Sequence, residues 1–265
     1  MKTKSIPLIF ALIVVIGAVF MSFAGKGDVS LRLHLEKGKT YSYKTKTTQV
    51  MTMNLQGQFM STTQNIEMKN TISVLDIVDG QFLTELKMDN IKFNQTVMGM
   101  TMNYDSEHPE NTSPMLQGQV KQFEDQMKQP HSVTFDARGN ITNKEAVSSQ
   151  DAASFITALP EEAVHVGSTW TQDASMDVSG ISSSNHVTYT VTKISKKEVH
   201  ADFTSTVTAT GNAELNGTNS GTVVFDIATG MAKSHTFKSD ISLTINEQGM
   251  SIPASLKGTT TVTLE

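Results

Sequence analysis

The chain has 265 residues, a net charge of −5 and no cysteine, which excludes disulfides, thiol nucleophiles and thiolate metal centres. No cluster of Lys or Arg interrupts it, so a phosphate backbone finds no basic track and nucleic acid is not expected as a partner. Aromatic residues are sparse at 6%, whereas Thr and Ser recur throughout, and the branched Cβ of Thr favours strands.

Lys2 and Lys4 precede an apolar run from Ile6 to Phe23, and Ser22 and Ala24 occupy the minus-three and minus-one places of a cleavage point. This order describes a secretory leader over residues 1–24, which leaves residues 25–265 as an exported β-rich domain in the periplasm or cell envelope, or secreted. Loss of Lys2 and Lys4 makes the mature chain two units more negative than −5. The run is also long enough to approach a bilayer span, so an uncleaved N-terminal anchor is the alternative, with membrane contact only through residues 6–23. No cysteine follows it to carry a lipid anchor.

From Val29 to Tyr104 the pattern is strand. Leu31, Leu33 and Leu35 alternate with polar residues, Gly38 and Lys39 turn the chain, and Tyr41 and Tyr43 share a face of the next strand, which predicts a hairpin. Met51, Met53 and Leu55 extend that strand to a break at Gly57, and Ile66, Met68, Ile72 and Val74 line one face of a long strand. Asp79-Gly80 is the strongest hairpin signal, and a change of parity after Met88 predicts a bulge near Asp89-Asn90 or a fresh strand.

Between Asp105 and Gly167 the texture changes. A polar loop leads to Ser113-Pro114, an N-cap and first-turn proline, and Leu116, Val120, Phe123 and Met127 then form one apolar stripe on a helix stopped by Pro130. A short strand at 131–136 turns at Arg138-Gly139, and a second helix is expected from about Asp151 to Pro160. From Gly167 onward strands return around Val187, Val199, Val223 and Phe237, with a last one at Thr259 to Leu264.

Gly38-Lys-Thr-Tyr41 recurs as Gly167-Ser-Thr-Trp170, and the hairpin around Ile77 and Phe82 resembles that around Ile194 and Val199. Two related β halves, 29–104 and 163–265, would then flank a helical insert, 105–162; turn glycines followed by aromatic residues in any β protein are the alternative explanation. The fold class predicted is mainly β with minor α: long antiparallel strands in a curved, incompletely closed sheet or two β halves, with two helices inserted mid-chain.

The stretch Leu31-Arg-Leu-His-Leu-Glu-Lys-Gly-Lys-Thr-Tyr41, the Met-rich strands, Tyr104-Asp-Ser with Pro109-Glu-Asn, and Val166-Gly-Ser-Thr-Trp170 together resemble an uncharacterised family of exported proteins from Bacteroidota-type bacteria. The resemblance spans nearly the whole mature chain and implies export, with no catalytic residues to carry over. The layout also resembles lipoprotein-carrier folds, in which a curved sheet cups helices over an apolar cavity, a likeness of architecture alone.

Met98, Met100 and Met102 sit at alternate positions, and thioethers projecting from one strand face suit either Cu(I) or a cavity accepting apolar guests. The second use needs no metal, and no cofactor is expected. Seven scattered histidines show no zinc spacing; Asp105, Glu107 and Glu110 gather in one loop but lack the ligand pattern of a calcium loop. No G-x-S-x-G or phosphate-cradling glycine motif occurs.

The function expected is therefore a non-enzymatic cell-envelope protein that binds a lipid, another apolar ligand or an envelope protein through a curved sheet. Its ligand residues would be Met98, Met100, Met102, Leu116, Val120, Phe123 and Met127. The alternatives are a structural or interaction module without a cavity, and a hydrolase whose site is assembled from dispersed residues.

Overall fold

The computed structural model describes residues 28–55, 57–143, 157–178, 181–211, 213–247 and 250–265. The expected leader or anchor lies outside them, as does the second expected helix up to Ile156; Thr157 to Pro160 is irregular.

Among the described residues eleven strands form one antiparallel sheet that does not close. In chain order they are β1 (Thr40–Leu55), β2 (Gln58–Val78), β3 (Gln81–Val97), β4 (Met100–Asp105), β5 (His131–Phe135), β6 (Thr169–Val178), β7 (Ile181–Ile194), β8 (Glu198–Gly211), β9 (Ala213–Asp226), β10 (Ala232–Glu247) and β11 (Met250–Leu264). The spatial order is β4-β3-β2-β1-β11-β10-β9-β8-β7-β6, and β5 takes the part of β3's outer edge that β4 leaves free. Neighbours are mostly joined by tight turns, the economical way to build an antiparallel sheet, and the last strand returns to pair with the first.

Local chemistry explains the register. Asp79 (φ 51°) and Gly80 (φ 76°) both take the positive φ that a two-residue hairpin demands. Lys69 pairs with Asn90 while Asn70 pairs with Met88, so Asp89 is the extra residue of a bulge, and the apolar parity of β3 changes there.

Three expectations need correction. The Leu31–Leu35 segment is not the first strand of a hairpin: Leu33 N–H donates to Ala137 O (2.8 Å) and His34 N–H to Thr229 O (2.9 Å), so it threads between two turns as a plug. It alternates as a strand does because one side meets the core and the other meets water. The helix does not begin with a Ser113 side-chain cap, since Ser113 Oγ accepts from Asn103 N–H instead (2.9 Å); a 3-10 turn at Pro114–Leu116 leads into α1, Gln117–Lys128. Met98 lies in the β3–β4 turn with φ 50°, so the three methionines do not share a strand face.

The main core sits at the end of the sheet where β1 begins and β11 finishes, here the near end. Leu31, Leu33 and Leu35 bury themselves against Tyr43, Ile72, Val74, Phe135, Val191, Val199 and Phe225. Gly230, at φ +73°, lets the plug pass: a Cβ there would lie 2.1 Å from Arg32 O. A second cluster joins Ile91, Phe93 and Tyr104 to Leu116 and Val120, laying α1 on the same face of the sheet.

Candidate functional site

Strand register separates the two faces by charge. The face that carries the core takes the odd positions of β1, β8 and β9, the even positions of β4, β6 and β11, and the corresponding positions of β2, β3, β7 and β10 on either side of their bulges. Among these positions the one Asp, Glu, Lys or Arg is Glu247, opposite Met250 at a hairpin tip. The other face carries ion pairs, including Lys46 with Glu67 (3.0 Å), Lys69 with Glu265 (3.1 Å) and Lys257 with Asp240 (2.8 Å). The Lys46 hydrogen bond leads the causes that hold the Glu67 carboxyl below its usual range.

The uncharged face is concave. At Gly221 a Cβ would come within 2.0 Å of Thr236 O, so β10 folds toward this side past a position that only glycine fits. Because Gly221 pairs with both Phe203 and Phe237, those rings meet across the intervening strand at 6.2 Å. Tyr189 (5.8 Å from Phe203) and Trp170 (4.7 Å from Tyr189, stacked) extend the aromatic row to the edge strand, and Trp170 Nε1–H donates to Ala158 O (3.1 Å). Burial pushes the Tyr189 hydroxyl up to about 12, partly offset by its hydrogen bond with Thr157.

Beyond this row the concave face becomes polar without becoming charged. Gln49 Nε2–H donates to Gln64 Oε1 (2.6 Å), Asn219 Nδ2–H donates to Ser205 Oγ (3.0 Å), and Gly258 and Ser239 complete the belt by register. On the plug side of the belt Thr45 Oγ1, Asn70 Nδ2 and His235 Nε2, and beyond it Asn185 Oδ1 in the row of Val207, are buried with no hydrogen-bond partner. Each such atom costs about 1–3 kcal/mol unless something uncharged reaches it. Burial lowers the His235 pKa to about 4, so this ring adds no charge near neutral pH.

Past the belt lies a second apolar zone at the far end of the strands: Met51, Met53, Val207, Leu215, Ile241, Leu243, Leu256 and Ile252 share the concave face and are half-buried. The near zone is filled by the plug, whereas this one remains partly accessible.

Of the residues singled out from sequence, Met102, Leu116, Val120, Phe123 and Met127 come together. Phe123 lies 5.9 Å from Phe93 and 6.0 Å from Tyr104, and Leu116 and Val120 are buried on the sheet. Met98 and Met100 stand apart at the β3–β4 tip, 76% and 56% exposed. The far-zone residues were not singled out as a site. Their alternation was visible in Met51/Met53 and Ile241/Leu243, but their convergence depends on β1 and β11 pairing across nearly the whole chain.

The acidic loop is tied to a cation of its own. Lys92 Nζ lies 3.1 Å from Asp105 and 3.0 Å from Glu107, while Glu110 approaches His108 at 3.4 Å. Among the described residues no three His, Asp or Glu side chains gather as a metal site, and no helix is long and apolar enough to cross a membrane. A groove on the convex side, between Thr48, Val50, Thr218 and Lys238, is crossed by the Lys257–Asp240 pair and so offers charged walls.

A model of a family of unknown function (DUF6263) matches residues 142–232. No curated protein matches the chain. Among solved structures, a lipovitellin structure described by its lipid–protein interactions aligns at 12% identity with a TM-score of 0.49, over 88% of this chain and 25% of lipovitellin; the chain thus spans about a quarter of that protein. The COG4313 outer membrane channel from Pseudomonas putida F1 aligns at 8% identity and a TM-score of 0.24, over 91% of this chain and 100% of that one. A loop-deleted OmpT, an outer membrane protein of Vibrio cholerae, aligns at 6% identity and a TM-score of 0.19, over 87% and 100%.

Proposed function

We propose that the protein is an exported, non-enzymatic binder of an uncharged apolar ligand, held in the far half of the concave face. The observation that carries this reading is the separation of charge: ion pairs occupy the convex face, while the described strand positions of the concave face are free of charge up to one hairpin tip and end in a half-buried apolar zone. A carboxylate or phosphate ligand would meet no cation there, and its desolvation would go uncompensated. A molecule with a long apolar part and a hydroxyl or amide would set the former on Leu243, Ile241 and Met51 and direct the latter toward the belt and the unpartnered Asn185 atom. The methionines suit such a role because their flexible thioethers adapt to guests of varied shape.

Native mass spectrometry of protein purified without detergent tests this. The expected spectrum carries a bound neutral lipid that the Ile241→Ser, Leu243→Ser double variant lacks. A bare protein, or a lipid retained equally by the double variant, contradicts it.

The repeated turns support a second proposal about organisation, that 29–104 and 163–265 are related halves around 105–162. Gly38 N–H donates to Val74 O (2.8 Å) and Val74 N–H to Lys39 O (2.9 Å); Gly167 N–H donates to Val191 O (2.8 Å) and Val191 N–H to Ser168 O (2.9 Å). In both units one unmatched residue follows, Leu75 or Thr192, before the pairs Ile77–Phe82 and Ile194–Val199. Strand β5 falls inside the insert by sequence yet pairs with β3, in the way the end of β9 pairs with β8.

A further inference from the structure

We infer that the far tips of the β1–β2 and β3–β4 hairpins seat this protein on a lipid bilayer, an interaction that rests on the ligand reading and supplies its route of entry. Three large apolar side chains stand in water there: Phe59 and Met98 are each 76% exposed and Met100 is 56% exposed. They belong to one corner, because Thr62 pairs with Val97, which sets the β3–β4 turn beside the strand that bears Phe59.

Charge identifies what the corner meets. The chain carries no Asp, Glu, Lys or Arg from Thr47 to Ile66 or from Phe93 to Tyr104, so both faces of these two hairpins are free of charge around their tips. At about 3.3 Å per residue, the stretch from Lys46 to the β1–β2 turn holds the nearest basic group of β1 roughly 30 Å back. A protein interface usually keeps polar and charged groups on its rim, whereas a tip without charge can sink to the hydrocarbon boundary of a bilayer with no ion to desolvate. Ser61, Thr63 and Asn65 then sit at headgroup depth, where uncharged hydroxyls and amides find partners, while the Phe59 and Met98 side chains reach the acyl boundary. The other three hairpins place Asp177, Glu214 and Glu247 near their tips, which leaves this corner as the contacting one. Its lack of any cation makes contact independent of anionic lipid. The half-buried apolar zone opens at the same end of the strands, so a lipid leaving the bilayer passes directly onto Met51 and Met53.

The test uses the full chain carrying Phe59→Trp and vesicles of zwitterionic phosphatidylcholine. The expected result is a blue shift of the F59W emission and its quenching by acyl-brominated phosphatidylcholine, both unaffected by raised salt, while Trp170 of the unaltered chain shows neither. Adding Met98→Asp and Met100→Asp weakens vesicle partition read from F59W by at least about tenfold, since two apolar insertions are replaced by charges. An F59W emission indifferent to vesicles, or a partition that the two Asp substitutions leave intact, overturns the inference. Loss of insertion with a lipid still bound in the native mass spectrum removes only the bilayer contact; intact insertion with no bound lipid removes only the groove reading.

Discussion

The two ends of the concave face are built from the same strands and differ in what covers them. At the near end the chain folds its own Leu31–Leu35 segment into the curve of the sheet, and Leu31, Ile72, Val199 and Phe225 lose all contact with water. At the far end Met51, Ile241 and Leu243 occupy equivalent inward positions on the same strands, yet among the described residues no segment plugs them and they stay half-buried. Under the proposed function, stability and binding are separated along the strand axis, with the polar belt between them.

Substitutions that break this contrast have graded effects. Phe225→Ala removes a fully buried ring under the plug and is expected to cost about 3–5 kcal/mol in urea unfolding. Gly221→Ala, whose new methyl must displace the β10 backbone, is expected to cost about 1–3 kcal/mol, with a change in near-ultraviolet circular dichroism as Phe203 and Phe237 are pushed apart.

His235 supplies a pH dependence. Its folded pKa of about 4 lies below the ordinary 6.5, so between these values the unfolded chain binds a proton that the folded chain refuses. Stability is complete above about 6.5 and falls as the pH drops toward 4, by an amount on the order of 3 kcal/mol. His235→Leu is expected to flatten that limb of the stability–pH curve, measured by urea midpoints at pH 5 and 7.5.

Smaller effects on stability come from the far end and the convex face. Leu243→Ser is expected to cost about 1 kcal/mol or less because the side chain is only half-buried, while it weakens ligand retention. Lys257→Ala, which breaks an exposed pair with Asp240, is expected to leave the unfolding midpoint unchanged within error.

Much of the fold was legible in the residues. Asp79-Gly80 announced its turn, the parity change after Met88 announced either a bulge or a fresh strand, and the alternations Val187/Tyr189/Val191 and Ile241/Leu243/Ile245 announced strands. Where the face is lined by Thr, Ser, Asn and Gly, as in Thr204–Thr210 and Asn216–Ser220, no apolar alternation marks the strand, and its length is set by neighbours on both sides. The plug was misread because a segment with one buried side has the same period whether or not it joins the sheet. For the candidate site, the α1 stripe was legible from helical spacing. The uncharged concave face was not, because its definition requires the register of ten strands at once.

The most direct test of the central claim is a titration with diphenylhexatriene, a neutral apolar probe whose fluorescence rises when it leaves water. The account predicts saturable binding, insensitive to salt, that Ile241→Ser with Leu243→Ser abolishes while the unfolding midpoint moves little. Binding that never saturates, or that survives the double substitution unchanged, contradicts a ligand site in the far half of the concave face.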